Sequence, residues 1–197
     1  MAVFFMQPGN FHRRIGGSCM RHAVWALALT VAPVAALAVG DDDDQPPTPT
    51  ETTTTCTKGQ VWDADAKACV DPDKSSLNDP DRMRAVRELA YAGRLSDAER
   101  VLNAVSDQES DAVMTYRGFI ARKSGRTNDA HDWYANALAA NPNNLLARSY
   151  LGQWYVETGN TALARAELRE IRQRGGRATW PEISLRMAIQ SGSGYSY

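Results

Sequence analysis

The sequence predicts an all-α chain: a three-repeat helix-turn-helix solenoid with a C-terminal capping helix, preceded by a small disulfide hairpin. Three observations carry this. Apolar and small residues recur every three or four positions along residues 79–190, the period of a helix with one buried face. Gly93, Gly125 and Gly159 are spaced by 32 and 34 residues, and Ala98, Ala130 and Ala164 keep the same spacing, which is the signature of a repeated structural unit. Cys56 and Cys69 are the only cysteines after residue 38, an even number that suggests a disulfide in an exported chain.

The 197-residue length allows one ordinary domain with extensions, and the formal net charge of −1 gives no reason to expect a nucleic-acid partner. Residues 1–38 read as a signal peptide. Arg13, Arg14, Arg21 and His22 precede the uncharged stretch Ala23–Val39, and Ala36-Leu37-Ala38 has the small-x-small form that places cleavage after Ala38. The stretch is short for a membrane span and Pro33 interrupts it, so contact with the membrane is expected only through an uncleaved signal. Met1, Met6 and Met20 are alternative starts, the Ile-Gly-Gly after Arg13-Arg14 is a poor twin-arginine match, and Cys19 precedes the apolar run, where lipidation is not expected. The expected location is the periplasm or the cell exterior. Without the three arginines of residues 1–38 the net charge falls from −1 to −4, most of it from Asp41–Asp44.

Residues 39–55 are acidic and rich in Thr and Pro, too polar to bury the surface that offsets chain entropy, and read as a disordered linker. Residues 56–70 read as a disulfide-closed hairpin, with Gly59 suited to a turn, Val61-Trp62 placed to pack on the bridge, and Asp63-Ala64-Asp65 at the tip. A loop of this length stabilises its fold by roughly 3 kcal/mol on the chain-entropy estimate. Its pattern is similar to short one-disulfide segments of exported proteins, some loosely like small carbohydrate-binding modules. That likeness makes Trp62 the candidate sugar-stacking residue; the competing reading is that Trp62 covers the disulfide. Residues 71–78 read as a second linker.

The repeats follow, at 79–110, 111–144 and 145–178. Helices are expected at 79–91 and 96–106, then 111–124 and 127–140, then 145–158 and 161–174, with Ser96 and Glu99 forming a capping box. In the middle unit, Gly118, Gly125, Ala130, Tyr134, Ala137 and Pro142 stand in fixed order; Leu151, Gly152, Tyr155, Gly159 and Ala164 repeat it downstream, and Leu89, Gly93, Ala98 and Leu102 upstream. This arrangement resembles the tetratricopeptide repeat (TPR), in which small residues let paired helices approach and an aromatic fills the space between them. Val86 and Ala121 depart from the pattern, and the third unit lacks the closing proline. Thr179 and Pro181 start the capping helix, 179–190, which covers the last apolar face. Residues 191–197 read as a flexible tail.

No catalytic site emerges. His131 is the only histidine after residue 38 and is expected to face outward; there is no H-E-x-x-H, no phosphate-binding loop, and no basis for a metal or other cofactor, two cysteines leaving zinc coordination unfilled. The resemblance instead implies a protein-binding adaptor whose concave groove, lined by the first helix of each repeat, holds a peptide or protein segment. Matched to this sequence, the lining is Met83, Arg87, Ala90 and Tyr91, then Ala112, Thr115, Phe119, Arg122 and Lys123, then Leu146, Ser149, Gln153, Val156 and Glu157. Met83, Arg87, Phe119, Arg122, Lys123, Gln153 and Val156 are the candidate peptide-binding residues, suited to an extended segment with apolar anchors and an acidic element. Met83 and Arg87 stand where family members that clamp acidic chaperone tails carry Lys and Asn, so that specific role is not expected. A role in envelope assembly follows from the adaptor reading. Weak cell-wall association through the Cys56–Cys69 hairpin is the alternative, and an envelope hydrolase centred on His131 the remotest.

Overall fold

The computed structural model describes residues 46–74 and 76–194. The signal peptide, its cleavage after Ala38, the alternative starts, Cys19, the Asp41–Asp44 run and residues 195–197 lie outside the described residues. Among the described residues the chain forms α1 (Glu51–Thr54), β1 (Val61–Asp63), β2 (Ala68–Val70), α2 (Asp79–Tyr91), α3 (Leu95–Leu102), α4 (Asp111–Lys123), α5 (Thr127–Ala140), α6 (Leu145–Glu157), α7 (Thr161–Gln173) and α8 (Trp180–Ser191). Helices α2 to α7 pair as three successive hairpins, each stacked on the next.

The same local chemistry recurs in each hairpin. The first helix starts on a side-chain cap: the oxygen of Asn78, Ser110 or Asn144 accepts the backbone N–H three residues on. The turn between paired helices passes through Gly93, Gly125 or Gly159 at φ of +73°, +79° or +83°, a conformation open to glycine and costly for other residues. The second helix then begins without a side-chain cap. Here the expected capping box fails. Arg94, just after Gly93, is the N-cap of α3, which places Ser96 inside the helix; the Arg94 guanidinium instead holds Asp97 at 2.6 Å. Helix α3 also ends at Leu102, short of the expected Ser106, because the Gln108 amide donates to the carbonyls of Leu102 (3.0 Å) and Val105 (2.5 Å) and the chain turns Val105 into the core.

Packing within the middle hairpin is tight for a stated reason. A Cβ on Gly118 would lie 2.5 Å from the Tyr134 ring, so α4 and α5 approach to a distance that only glycine permits. In the third hairpin a Cβ on the corresponding Gly152 would lie 2.6 Å from the Leu185 side chain of α8. The Arg172–Glu182 ion pair (2.6 Å) further ties α8 to α7.

The segment before the repeats differs from expectation. Part of the 39–55 linker is ordered: Thr50 caps α1 with a reciprocal box to Thr53, and Thr52 is buried. The disulfide Cys56–Cys69 closes an antiparallel hairpin in which Trp62 pairs with Cys69, so the two share one face. This unit does not hang free of the repeats. Val61 and Leu77 belong to the same apolar core as α2 and α3, and Arg94 donates to the carbonyls of Thr53 (3.2 Å) and Cys56 (2.9 Å). Arg100 reaches Asp71 at 3.1 Å, and Arg82 donates to the Pro72 carbonyl at 2.7 Å. The hairpin is therefore the N-terminal cover of the first repeat, as α8 is of the last. No helix among the described residues is long and apolar enough to cross a membrane.

Candidate functional site

The concave face is filled over most of its length by its own side chains. Tyr91 stacks on Phe119 with ring centres 5.3 Å apart and planes 2° from parallel, and Phe119 meets Tyr150 at 4.9 Å. The Tyr91 and Tyr150 hydroxyls hydrogen-bond to each other. Helix α8 then lies along this face. Trp180 donates its Nε1–H to the Tyr91 Oη at 3.2 Å, and Ser184 Oγ meets Ser149 Oγ at 3.0 Å. Trp180 thus reaches the first repeat from a helix expected to cover only the last.

This corrects the exposure expected of most candidate groove residues. Phe119 and Gln153 are 0% exposed, Arg122 5%, Val156 6% and Arg87 7%. They are buried in this arrangement, where inward aromatics fill part of the groove and α8 packs on α6 and α7. Lys123 is half-buried, 5.9 Å from the centre of the Phe119 ring; burial, and then the neighbouring Arg122 charge, push its ammonium pKa down. The Arg122 guanidinium is held by Glu157 (2.6 Å) and Gln153 (3.3 Å) and sits 5.6 Å from the Phe119 ring centre. A buried cation fixed in this way organises the interior.

One part of the groove stays open. Near the N-terminal ends of α4 and α6 is a cleft of about 540 Å³. Met83 and Arg87, two of the candidates, line it with Arg84, Ala112, Tyr116, Asn143, Leu146 and Pro181. Its wall is set by an amide cluster: Asn141 and Asn144 donate to one Asp111 carboxylate oxygen at 2.7 and 2.8 Å, and Asn144 also donates to Thr115 Oγ1 at 3.1 Å. The Asp111 carboxylate is bound by neutral amides, and the guanidinium groups of Arg87 and of Arg84, which Asp81 holds at 3.1 Å, stand beside an apolar floor of Met83, Ala112, Tyr116 and Leu146. Sequence reasoning missed Arg84, Asn143 and Pro181. Arg84 is exposed and lies one residue past Met83, so it reads as a solvent-facing residue; Asn143 is in a loop; and Pro181 arrives only because α8 crosses the groove.

Trp62 lies apart from this cleft, partly exposed at a second one of about 320 Å³ between the hairpin and α2. His131 is 40% exposed, with its ring 4.9 Å from Trp154 and Nδ1 3.3 Å from Asp132. Among the described residues no group of three or more His, Cys, Asp or Glu side chains is placed to hold a metal ion.

No curated protein and no solved structure gives a match to the chain. Residues 121–179, from the end of α4 to the start of α8, match the family model described as Tetratricopeptide repeat. The match spans α5, α6 and α7, which carry the buried Ala130, Tyr134 and Ala164 and the closely packed Gly152, with Gly159 in the turn between α6 and α7. That match and the three hairpins in register support a tetratricopeptide repeat protein, folded as a helical solenoid.

Proposed function

We propose that this protein is a non-enzymatic adaptor of the periplasm or cell envelope that binds an extended segment of another protein in the 540 Å³ cleft. The observation that carries this reading is the lining: an apolar floor for one or two side chains beside Arg84 and Arg87, which suit an acidic residue or a chain-terminal carboxylate. The tetratricopeptide repeat match supports the general role, since such repeats serve protein–protein interaction. Export is supported by the basic and then apolar sequence of residues 13–39 and by a disulfide, which persists in oxidising compartments. Envelope assembly is the setting that this combination suits.

The test is a selection of random peptides displayed on phage against the full chain, followed by affinity measurement on the selected peptide. Ala112→Arg obstructs the cleft without touching the aromatic stack. The reading expects peptides with an acidic residue next to an apolar one, and a loss of about tenfold or more in affinity for Ala112→Arg. Selected peptides that bind the variant as well as the parent chain count against it.

A further inference from the structure

The second cleft carries chemistry that a TPR groove does not. Trp62 forms part of its wall, and its backbone is held in place from behind. Its strand pairs Trp62 with the disulfide-bonded Cys69, and the Trp62 backbone N–H donates to Thr52 Oγ1 at 3.1 Å. Five carboxylates line the same cleft with a single guanidinium, that of Arg84. Two of the five are committed. Asp63 accepts the Asp65 and Ala66 amides at 3.0 and 2.9 Å, and Asp81 holds Arg84 at 3.1 Å. Glu51 and Asp65 stand exposed on the rim.

Glu88 is the informative member. It is only 8% exposed, yet it faces the cleft. Its Oε2 accepts the Thr50 hydroxyl, while Oε1 has no hydrogen-bond partner among the described residues. Most of the Glu88 side chain is withdrawn from water, while Oε1 stays accessible from the cleft, where an entering donor would meet it. An anion is repelled by this lining. A protonated amine meets both features at once, attracted to the carboxylates and to the face of the indole, the best aromatic for a cation.

We propose that the cleft between the hairpin and α2 binds a ligand bearing a primary ammonium group, with the ammonium at Glu88 Oε1 and the body of the ligand against Trp62. Amino sugars and lysine side chains share this chemistry. The site shares Arg84 with the peptide cleft but no other lining residue, so variants of Trp62 and Glu88 test it without touching that cleft.

Titration calorimetry on the full chain tests it with three probes: a glucosamine disaccharide with free amines, its N-acetylated counterpart, and Nα-acetyl-lysine amide. Binding of at least one free-amine probe is expected, with the N-acetylated disaccharide weaker by about tenfold or more. Whether the disaccharide or the lysine derivative binds then identifies the source of the amine. Trp62→Ala and Glu88→Gln should each lower the affinity by a similar factor, the rim variant Asp65→Asn by less, and Ala112→Arg not at all. Glu88→Gln keeps an acceptor for Thr50, so a folding defect does not obscure the result. The proposal is overturned if no free-amine probe binds, if the acetylated disaccharide binds equally well, or if Trp62→Ala and Glu88→Gln leave the affinity unchanged.

Discussion

Tyr134 shows how much a single buried group can be asked to do. Its ring fills the space over Gly118 and is 0% exposed. Its hydroxyl has no hydrogen bond of ordinary geometry, although the Arg122 charge is near, and burial pushes the phenol up to about 12 from an ordinary 10.0. Tyr134→Phe should therefore be neutral or stabilising by up to about 1 kcal/mol in urea unfolding, since it removes an unmatched polar atom and keeps the ring. The pH dependence has a definite sign. A phenol with a raised folded pKa contributes stability that is fully present below pH 10 and is lost as pH rises towards about 12; the Phe variant should lack this loss. Glu88 follows the same sign in another window. Burial raises its pKa above 4.5, with Thr50 opposing, so its stabilisation is complete below pH 4.5 and falls as pH rises through the folded value. Thermal unfolding should find Glu88→Gln more stable than the parent chain at neutral pH and equal to it in acid.

At the scale of elements, the glycines separate two causes that look alike in the sequence. Gly118 and Gly125 are seven residues apart in the same repeat. Gly118→Ala places a Cβ 2.5 Å from the Tyr134 ring and should cost about 1–3 kcal/mol by overpacking, despite the better helix propensity of alanine. Gly125→Ala meets no atom within 4 Å but must hold φ near +79°, and should cost about 1–2 kcal/mol from the backbone alone. Urea unfolding of both, with a crystal structure or chemical shifts for Tyr134, distinguishes them: only Gly118→Ala should displace the ring. The hairpins were legible because each repeats a cap, a turn glycine and a small residue at close approach. Helix α1 was not, because a run of threonines carries no helical period; it is ordered by the Thr50 cap and by burial of Thr52 against the hairpin. The false capping box arose because Ser96 and Glu99 have the right spacing, but the turn after Gly93 closes two residues earlier than that spacing requires.

On the whole molecule, what the sequence could not show is which face of which helix another element would cover. The spacing marks Phe119, Gln153 and Val156 as inward-facing, and all three are buried. The position of α8 on the third repeat is set by contacts far apart in the chain: Trp180 with Tyr91, Ser184 with Ser149, Leu185 against Gly152. Met83 and Arg87 stay at an opening because α8 begins at Trp180, with Pro181 forming the edge of the cleft. The disulfide hairpin closes the other side of α2, and Cys56→Ser with Cys69→Ser should lower stability by about 2–4 kcal/mol while leaving the helical signal of the repeats in place. The account's central claim is that the cleft at Met83 receives a segment of another protein. Its most direct test replaces Met83 with a photo-crosslinking amino acid in the living cell, with the same substitution at the exposed Ala162 of α7 as the control. The account predicts a discrete crosslinked product from position 83, mapped by mass spectrometry to an extended acidic and apolar segment, and none from position 162. Products that form from position 162 and not from position 83 would contradict it.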